Sequence, residues 1–354
     1  MKRISLILTM TTLCFISQAQ AREWTEFYNN SRSNAMGGTK IAITSDDTTL
    51  FRNPANLGSF RGAYATLLDP EFEFSLNSYS QFFGALTNVA KTKEILNTNR
   101  DQYYHAKLQV TPSFSVRNFG FGLIYKDEIG AIMNSAGTAM DTIYQSDIGV
   151  VAGVNYNIWD GRIKIGASMK AINRIEVDNP ILDPSASLDL KDIGSEGTGV
   201  GGDISLMLQA PVLYFPTLAI VAHDVGDMKF ESASGLRLTT TTRPQVVKQS
   251  VDAAVSIMPI HSRGFRSVFS VEYRDLQDSR QEDFAAKRTH IGAEFNWNDI
   301  FFLRVGMNQG YVSAGFEIAG ERVSWQLATY GEEVGTKASP KEDRRVSNKV
   351  MVRF

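Results

Sequence analysis

The chain ends in the stretch Arg345-Val346-Ser347-Asn348-Lys349-Val350-Met351-Val352-Arg353-Phe354. Val346, Val350, Val352 and the terminal Phe354 share one parity, whereas Ser347, Lys349 and Arg353 share the other. A strand with one apolar face for lipid, one polar face for a lumen and a C-terminal aromatic is typical of the closing strand of an outer-membrane β-barrel. We therefore predict that Val350, Val352 and Phe354 form an assembly signal for the outer-membrane assembly machinery.

The N-terminus predicts export. Lys2 and Arg3 precede a mostly apolar run, Ile4 to Ile16, and Ala19-Gln20-Ala21 resembles a cleavage site. This pattern predicts a secretory signal peptide over residues 1–21. The chain has one cysteine, Cys14, and it lies within this segment. The mature chain is therefore expected to have no disulfide and no cysteine nucleophile or thiolate metal site.

Charge and hydropathy narrow the function classes further. The formal net charge of −2 argues against a nucleic-acid partner. Beyond residue 21 no apolar run reaches the roughly 18 residues that a spanning helix needs. The most apolar stretch, Ala210 to Ala222, is broken by Pro211 and Pro216. The protein is therefore either soluble and exported, or it crosses a membrane as strands, in which only alternate residues are apolar.

Period-2 alternation recurs along the whole mature chain. Between Ala106 and Arg117, for example, even positions are apolar and odd positions are wholly polar. Strands of about 9–11 residues or somewhat longer would span a membrane. We predict an all-β transmembrane antiparallel barrel of about fourteen strands. The predicted strands lie near 61–76, 105–117, 119–133, 143–158, 161–176, 198–210, 217–229, 248–258, 265–275, 288–297, 300–308, 311–319, 322–331 and 345–354.

The connections between these strands mostly alternate between short and long, as periplasmic turns and outer loops do in such barrels. Short turns lie at 118, 159–160, 262–264, 297–299 and 320–321, and long loops at 77–104, 134–142, 177–197, 230–247, 276–287 and 332–344. One tight turn, Asn308-Gln309-Gly310, falls on the outer side against the rule. Trp159, Trp297 and Trp325 lie beside short turns and predict an aromatic girdle at the periplasmic interface.

Residues 22–60 do not alternate, and they precede the first predicted strand. They contain Asn34-Ala35-Met36-Gly37-Gly38 and Asp46-Asp47, followed by Asn53-Pro54-Ala55-Asn56-Leu57. This pattern resembles the N-terminus of FadL-type outer-membrane proteins. The stretch from His290, with Gly292, Glu294, Arg304, Gly306 and Gly315, also resembles TraF-like and PorV-like barrels.

The FadL resemblance implies a fourteen-stranded barrel that imports long-chain fatty acids or other hydrophobic compounds. It implies that residues 22–60 form a hatch in the lumen and that residues 61–354 form the barrel. The candidate hatch residues are Gly37, Gly38, Asp46, Asp47, Asn53, Pro54 and Ala55. The same residues are also typical of tight turns, since glycine permits positive φ and Asn-Pro begins a turn. A plug needs such turns, so the two interpretations overlap.

Two outer loops carry weaker signals. The loop 77–104 has helically spaced apolar residues, so that Phe82, Phe83, Leu86 and Val89 are a candidate capture site for a hydrophobic ligand, or simply pack on the barrel rim. The loop 177–197 is acidic and could bind calcium, but it lacks EF-hand spacing and is better explained as a solvated loop.

Lumen-facing charges of both signs are predicted, which indicates a lumen cross-linked by ion pairs. No hydrolase or zinc-binding motif is present, so we predict no enzymatic activity, no cofactor and no metal. The expected partners are membrane lipid, the assembly machinery and a hydrophobic small-molecule ligand. The first functional hypothesis is uptake of hydrophobic small molecules across a Gram-negative-type outer membrane. A structural or secretion-accessory barrel and a general diffusion porin are the alternatives.

Overall fold

A computed structural model describes residues 26–43, 47–77, 89–182, 189–231, 235–279, 285–336 and 339–354. Fourteen antiparallel strands form one ring, in which each strand pairs with its neighbours in sequence and the last strand pairs with the first. The predicted closed barrel is therefore confirmed, as is the strand number. The predicted signal peptide lies outside the described residues.

The strands follow the chain order around the ring. Their bounds are β1 (Tyr64–Leu68 and Glu71–Ser75), β2 (Tyr103–Val110 and Ser113–Val116), β3 (Phe119–Met133), β4 (Met140–Ile158), β5 (Ile163–Leu182), β6 (Ser195–Gln209), β7 (Thr217–His223), β8 (Ser250–Ile257 and Ile260–Ser262), β9 (Phe265–Tyr273), β10 (Thr289–Trp297), β11 (Phe301–Asn308), β12 (Tyr311–Ala319), β13 (Val323–Glu333) and β14 (Glu342–Arg353). The helices are α1 (Ser31–Ala35), α2 (Val89–Thr98) and α3 (Leu190–Ile193), with 3₁₀ helices at Asp47–Phe51, Pro54–Ser59 and Ala285–Arg288.

Proline interrupts three of the strands, at Pro70 in β1, Pro112 in β2 and Pro259 in β8. Proline has no backbone N–H, so it cannot donate to the ladder, although its carbonyl can still accept. All three carbonyls do accept, from Val350, Leu123 and Ser267 respectively. At the neighbouring interruptions in β1 and β2, the buried carboxylate of Asp69 accepts from both the backbone and the hydroxyl of Thr111.

The two faces of the wall differ as the alternation predicts. In β14 the Val350 side chain is exposed on the outer face, whereas Arg345, Ser347 and Lys349 are buried on the inner face. The tryptophans beside the short turns are exposed, as an aromatic girdle requires: Trp159, Trp297 and Trp325. The outer face therefore presents apolar side chains to lipid, and the inner face buries polar ones.

The C-terminal aromatic residue closes the ring. The backbone N–H and carbonyl of Phe354 pair with Ala65 at 2.8 and 2.9 Å, and Arg322 lies 5.6 Å from the centre of the phenylalanine ring. The Phe354 side chain itself is exposed, so it contributes little to packing within the chain.

We expect Phe354→Ala to lower the amount of assembled barrel several-fold in the outer membrane, while refolding of the purified variant changes little. Quantitative blotting of the heat-modifiable form measures assembly, and refolding into detergent measures intrinsic stability. Leu213→Ala, another exposed apolar residue, in the connection between β6 and β7, is the matched control. Normal membrane levels of Phe354→Ala would remove the assembly-signal interpretation.

The predicted seventh strand is too long. The prediction placed it over 217–229, but β7 ends at His223, because Asp224, Gly226 and Asp227 adopt positive φ and turn the chain. The following residues, Met228 and Phe230, fold inward against β6. Three inward glycines of β6 make room for them: Gly197, Gly199 and Gly201. This loop fills the lumen on the side of the long loops.

The described outer-loop helices lie outside the lumen. In α2, Leu96 is buried against Tyr104 and Ala106, which are outward residues of β2. Among the described residues, no helix has the length and apolar character needed to cross a membrane.

Candidate functional site

The predicted hatch, where described, lies inside the ring of strands. Leu50, Phe51 and Leu57 are buried against the inward residues Ile124 and Val151. Ile41 and Ala55 lie in a second apolar cluster with inward residues of β6, β7 and β8. The segment therefore fills the lumen by hydrophobic contact with more than one part of the wall.

The turn from Met36 to Gly38 lies close against β10 and β11. Both glycines have positive φ, 65° and 88°, which other residues rarely adopt. Gly292 and Gly306 face them across the ladder, and a Cβ on either would lie within 2.5 Å of hatch backbone. His290 Nδ1 donates to the Gly37 carbonyl at 2.9 Å.

The Asn53-Pro54-Ala55 motif docks on a different part of the wall. Asn53 caps the 3₁₀ helix Pro54–Ser59 by accepting from Ala55, and its amide donates to the Ile41 carbonyl at 2.7 Å. The Ala55 N–H also donates to Ser205 at 2.8 Å, and its carbonyl accepts from Asn155 at 2.7 Å. Gly166 makes this approach possible, since a Cβ there would lie 2.1 Å from the Ala55 nitrogen.

Buried ion pairs fix the hatch further. Arg32 donates twice to Glu294, at 2.9 and 2.8 Å, and Arg304 joins the same carboxylate at 2.6 Å while reaching Glu317 at 2.5 Å. All four side chains are buried. Since unpaired buried charges are costly, this network favours one position of α1 in the lumen.

A second network holds the segment beyond the glycines. Glu272 accepts from the backbone of Lys40 and Ile41 at 2.7 and 3.0 Å. Arg274 pairs with Glu272 at 3.0 Å and also with Glu26, which in turn pairs with Lys40. Burial raises the pKa of Glu26, but Arg274 and Lys40 outweigh it and lower the pKa to about 2. Glu26 is therefore charged at neutral pH.

Three cavities follow one another along the lumen. At the mouth on the long-loop side, a pocket of about 290 Å³ is lined by residues including Tyr103, Ile132, Ile143 and Val334. Below it a neck of about 30 Å³ is lined almost entirely by polar and charged side chains, among them Glu73 and Lys107. Beyond the hatch, on the short-turn side, a vestibule of about 890 Å³ is open.

The neck closes the path in this conformation. Its volume of about 30 Å³ has room for no more than a few water molecules. Lys107 pairs with Glu73 at 2.8 Å, and the same carboxylate accepts from Tyr330 at 2.5 Å. Neither a sugar nor a hydrophobic molecule fits there without movement of the hatch or of these side chains.

Another large apolar concavity lies on the outer wall. Its volume is about 1250 Å³, and it crosses β6 to β11 where lipid-facing residues such as Leu218, Val255 and Phe269 are exposed. It coincides with the part of the wall whose inner face meets the hatch. Because lipid covers this surface, the groove is not part of the lumenal path.

The structure locates only part of the predicted capture loop and hatch motif. Phe82, Phe83, Leu86 and Asp46 lie outside the described residues, as do the side chains of Val89 and Asp47, although α2 begins at Val89 and a 3₁₀ helix at Asp47. Where α2 is described, its apolar residue Leu96 packs on the barrel rim. That contact agrees with the rim-packing alternative for this loop.

Two carboxylates of the acidic loop 177–197 accept hydrogen bonds from nearby backbone. Asp189 caps α3, and Glu196 accepts backbone N–H groups from Gly235, Arg237 and Leu238 at 2.8, 2.9 and 3.0 Å. No group of three or more potential metal ligands occurs among the described residues.

Several residues that hold the hatch had no signal of their own in the sequence. Gly166, Ser205 and Glu272 lie on strands in which polar and apolar residues alternate. This alternation predicts that they face the lumen, but it does not predict what they contact. Inward glycines are the feature that could have marked the docking surface, since glycine weakens a strand and often permits a close backbone approach.

No family model matches the sequence, and no curated protein is similar to it at the sequence level. Solved structures do match. The CymD monoaromatic hydrocarbon channel is 11% identical with a TM-score of 0.56, covering 92% of this chain and 96% of that one. The toluene transporter TbuX of Ralstonia pickettii is 15% identical with a TM-score of 0.55, covering 92% and 98%. A Pseudomonas aeruginosa FadL homologue is 10% identical with a TM-score of 0.50, covering 94% and 98%.

This chain has the FadL-type fold. The fourteen-stranded architecture that the resemblance implies is thereby supported over nearly the whole chain. At these sequence identities the shared fold does not identify a substrate. The substrate of this FadL-type barrel must be inferred from its inner side chains.

Proposed function

We propose that the protein takes up hydrophobic small molecules across the outer membrane, with long-chain fatty acids as the narrower candidate substrate. The observation that carries the proposal is a mouth pocket with more apolar than polar surface above a closed lumen, in a barrel with the fold of hydrocarbon channels. Uptake would begin at the mouth and would require the hatch to yield.

The mouth pocket suits the first contact with such a ligand. Ile132, Ile143 and Val334 provide apolar surface, while Tyr103 can offer both a ring and a hydroxyl. Its volume of about 290 Å³ is at the lower end of ligand-binding pockets, which start at about 300 Å³. A single acyl chain or a small aromatic molecule is therefore a better fit than a two-chain lipid.

The alternative of a structural or partner-binding barrel has its own support. The hatch is hydrogen-bonded to at least six strands. Glu272, Glu294 and Ser205 make three of these contacts, and amide or hydroxyl side chains of other strands make the rest. A segment held so widely can serve as a permanent floor. A general diffusion porin is disfavoured, because the neck has room for no more than a few water molecules.

Uptake into liposomes tests these functions. We expect the intact barrel to speed entry of a fluorescent long-chain fatty acid, and Ile143→Asp to lower the initial rate about tenfold, because it replaces apolar surface by a second carboxylate beside Asp141 in the mouth pocket. Leu236→Asp, an exposed residue of another outer loop, is the matched control and should keep the rate.

The outcomes separate the candidates. Absence of uptake by the intact barrel would reject the transport proposal and favour the partner-binding alternative. Small sugars that enter only after deletion of residues 22–60 would count against a porin, and sugars that enter through the intact barrel would support one. Heat-modifiable gel mobility must show that every variant is folded.

A further inference from the structure

The vestibule beneath the hatch has an unusual charge balance. It opens at the end of the barrel where the short turns lie, and residues of β1, β4, β5 and the hatch border it. Its ceiling is neutralised, because Glu294 and Glu317 pair with Arg32 and Arg304, and Asp69 pairs with Lys349 at 2.9 Å. At the rim, Asp299 pairs with Arg266. Other cations that line the vestibule take no part in these ion pairs.

Lys164 is the most informative member of that set. Its side chain is 4% exposed, yet its ammonium donates to uncharged oxygens, Ser59 Oγ at 2.6 Å and Gln209 Oε1 at 3.3 Å. Within the described ranges, no carboxylate lies in ion-pair distance of it. A buried charge without a counter-charge is unfavourable, so Lys164 is expected to attract an anion from the cavity that it lines.

Three arginines face the same cavity without an acidic partner in the described part of the chain: Arg61, Arg117 and Arg353. Arg353 reaches the Gly320 carbonyl at 3.4 Å. Strand pairing brings the set together, since Asn157 opposes Lys164 and bonds to Asn118, next to Arg117. Among the cavity-lining acids, Asp160 is the one that no arginine or lysine pairs with in the described residues.

We propose that this vestibule is a binding site for a small polyanion, a molecule with two or more carboxylate or phosphate groups that enters from the periplasm. Because these four cations outnumber the one acid, Asp160, a ligand with several negative charges is favoured over one with a single charge. The volume of about 890 Å³ lies within the range of about 300–1,000 Å³ for small-molecule sites. A membrane lipid is disfavoured because the cavity lies on the inner face of the wall. The proposal does not depend on hydrophobic uptake.

Aromatic side chains beside the cations support a specific site. Phe60, Tyr64 and Phe302 line a cavity that is otherwise mainly polar. Arginine can bind a carboxylate or phosphate through two parallel hydrogen bonds. These residues give the vestibule both charge and shape.

Calorimetric titration of the mature barrel in an uncharged detergent tests the site, with citrate, pyrophosphate and acetate as probes. We expect citrate or pyrophosphate to bind at least about tenfold more tightly than acetate. Lys164→Gln and Arg61→Gln should each weaken that binding about tenfold, the loss of one charge-assisted contact. Arg263→Gln removes a charge from a short turn outside the cavity and should change affinity less than about twofold.

Comparison of the probes identifies the anion class, since preference for citrate indicates carboxylates and preference for pyrophosphate indicates phosphates. Equal losses in Arg263→Gln and Arg61→Gln would show general charge attraction and overturn the proposal. Unchanged binding in both Lys164→Gln and Arg61→Gln, or absence of binding by the folded wild type, would do the same. Because Arg61 is exposed, its variant remains informative even if Lys164→Gln fails to fold.

The location can be measured independently of affinity. The mature chain is expected to contain no cysteine, so Arg61→Cys supplies a single reactive thiol. We expect saturating citrate or pyrophosphate to slow labelling of this thiol by a negatively charged reagent at least about fivefold, whereas Arg263→Cys labels at an unchanged rate. Equal protection of both thiols, or of neither, would contradict a ligand in the vestibule.

Discussion

Replacement of Gly306 by valine should dislodge the hatch and open the barrel to ions. A Cβ at Gly306 would lie 2.4 Å from the Gly37 nitrogen and 2.5 Å from the Met36 carbonyl carbon. Backbone atoms cannot rotate away as a side chain can, so the hatch must move or the wall must bend. Overpacking of this kind costs roughly 1–3 kcal/mol or more.

Single-channel recording in a planar bilayer measures the result. We expect wild type to be almost silent, since the neck has room for no more than a few water molecules, and Gly306→Val to show frequent openings. Gly202→Val is the control, because a Cβ there meets no atom closer than 3.3 Å. If Gly306→Val stays as closed as wild type while folded, the contact with Gly37 does not hold the hatch.

Replacement of Glu294 by alanine should cause the largest loss of stability among single lumenal substitutions that we consider. Glu294 accepts from both Arg32 and Arg304, so its removal takes a shared carboxylate away from two buried guanidinium groups. Breaking a buried ion pair from one side costs about 3–5 kcal/mol, because the remaining buried charge loses the partner that offset its desolvation.

Guanidinium unfolding of the barrel in lipid vesicles can measure this loss. Asp299→Ala is the matched control, since Asp299 pairs with Arg266 at a site where both side chains are largely exposed, and an exposed pair contributes about 0–1 kcal/mol. We also expect Glu294→Ala to increase protease cleavage within residues 22–60. A loss below about 1 kcal/mol would show that water or other groups solvate Arg32 and Arg304.

Both variants concern the same physical feature, which is a lumen closed by complementary surfaces. The hatch contains positive-φ glycines and a capped 3₁₀ helix. Where these approach the wall, the wall residue is glycine, at Gly166, Gly292 and Gly306. Charged side chains then satisfy the backbone groups that this irregular segment leaves open, as buried polar groups require. Transport through the barrel would therefore cost the free energy needed to break some of these contacts.

The alternating parity of the chain was enough to predict the wall. Side chains in a strand alternate between two faces with a period of two, and lipid on one face makes that alternation visible in the sequence. Hence the final strand ending at Phe354, the fourteen segments and the sorted loops were predictable. The exceptions follow from local chemistry: Pro70, Pro112 and Pro259 break ladders, and Asp224 to Asp227 end β7 early.

Contacts between distant parts of the chain were beyond the sequence. Parity placed Glu272 and Glu294 on the lumenal face, but only the folded ring shows that they accept from Lys40 and Arg32. The same holds for the vestibule, where Arg61, Lys164 and Arg353 come from three separated segments. The sequence by itself determined which face each strand residue takes, because that depends on neighbours along the chain. The tertiary structure decided which charges remain unpaired, because pairing depends on the closure of the ring around the hatch.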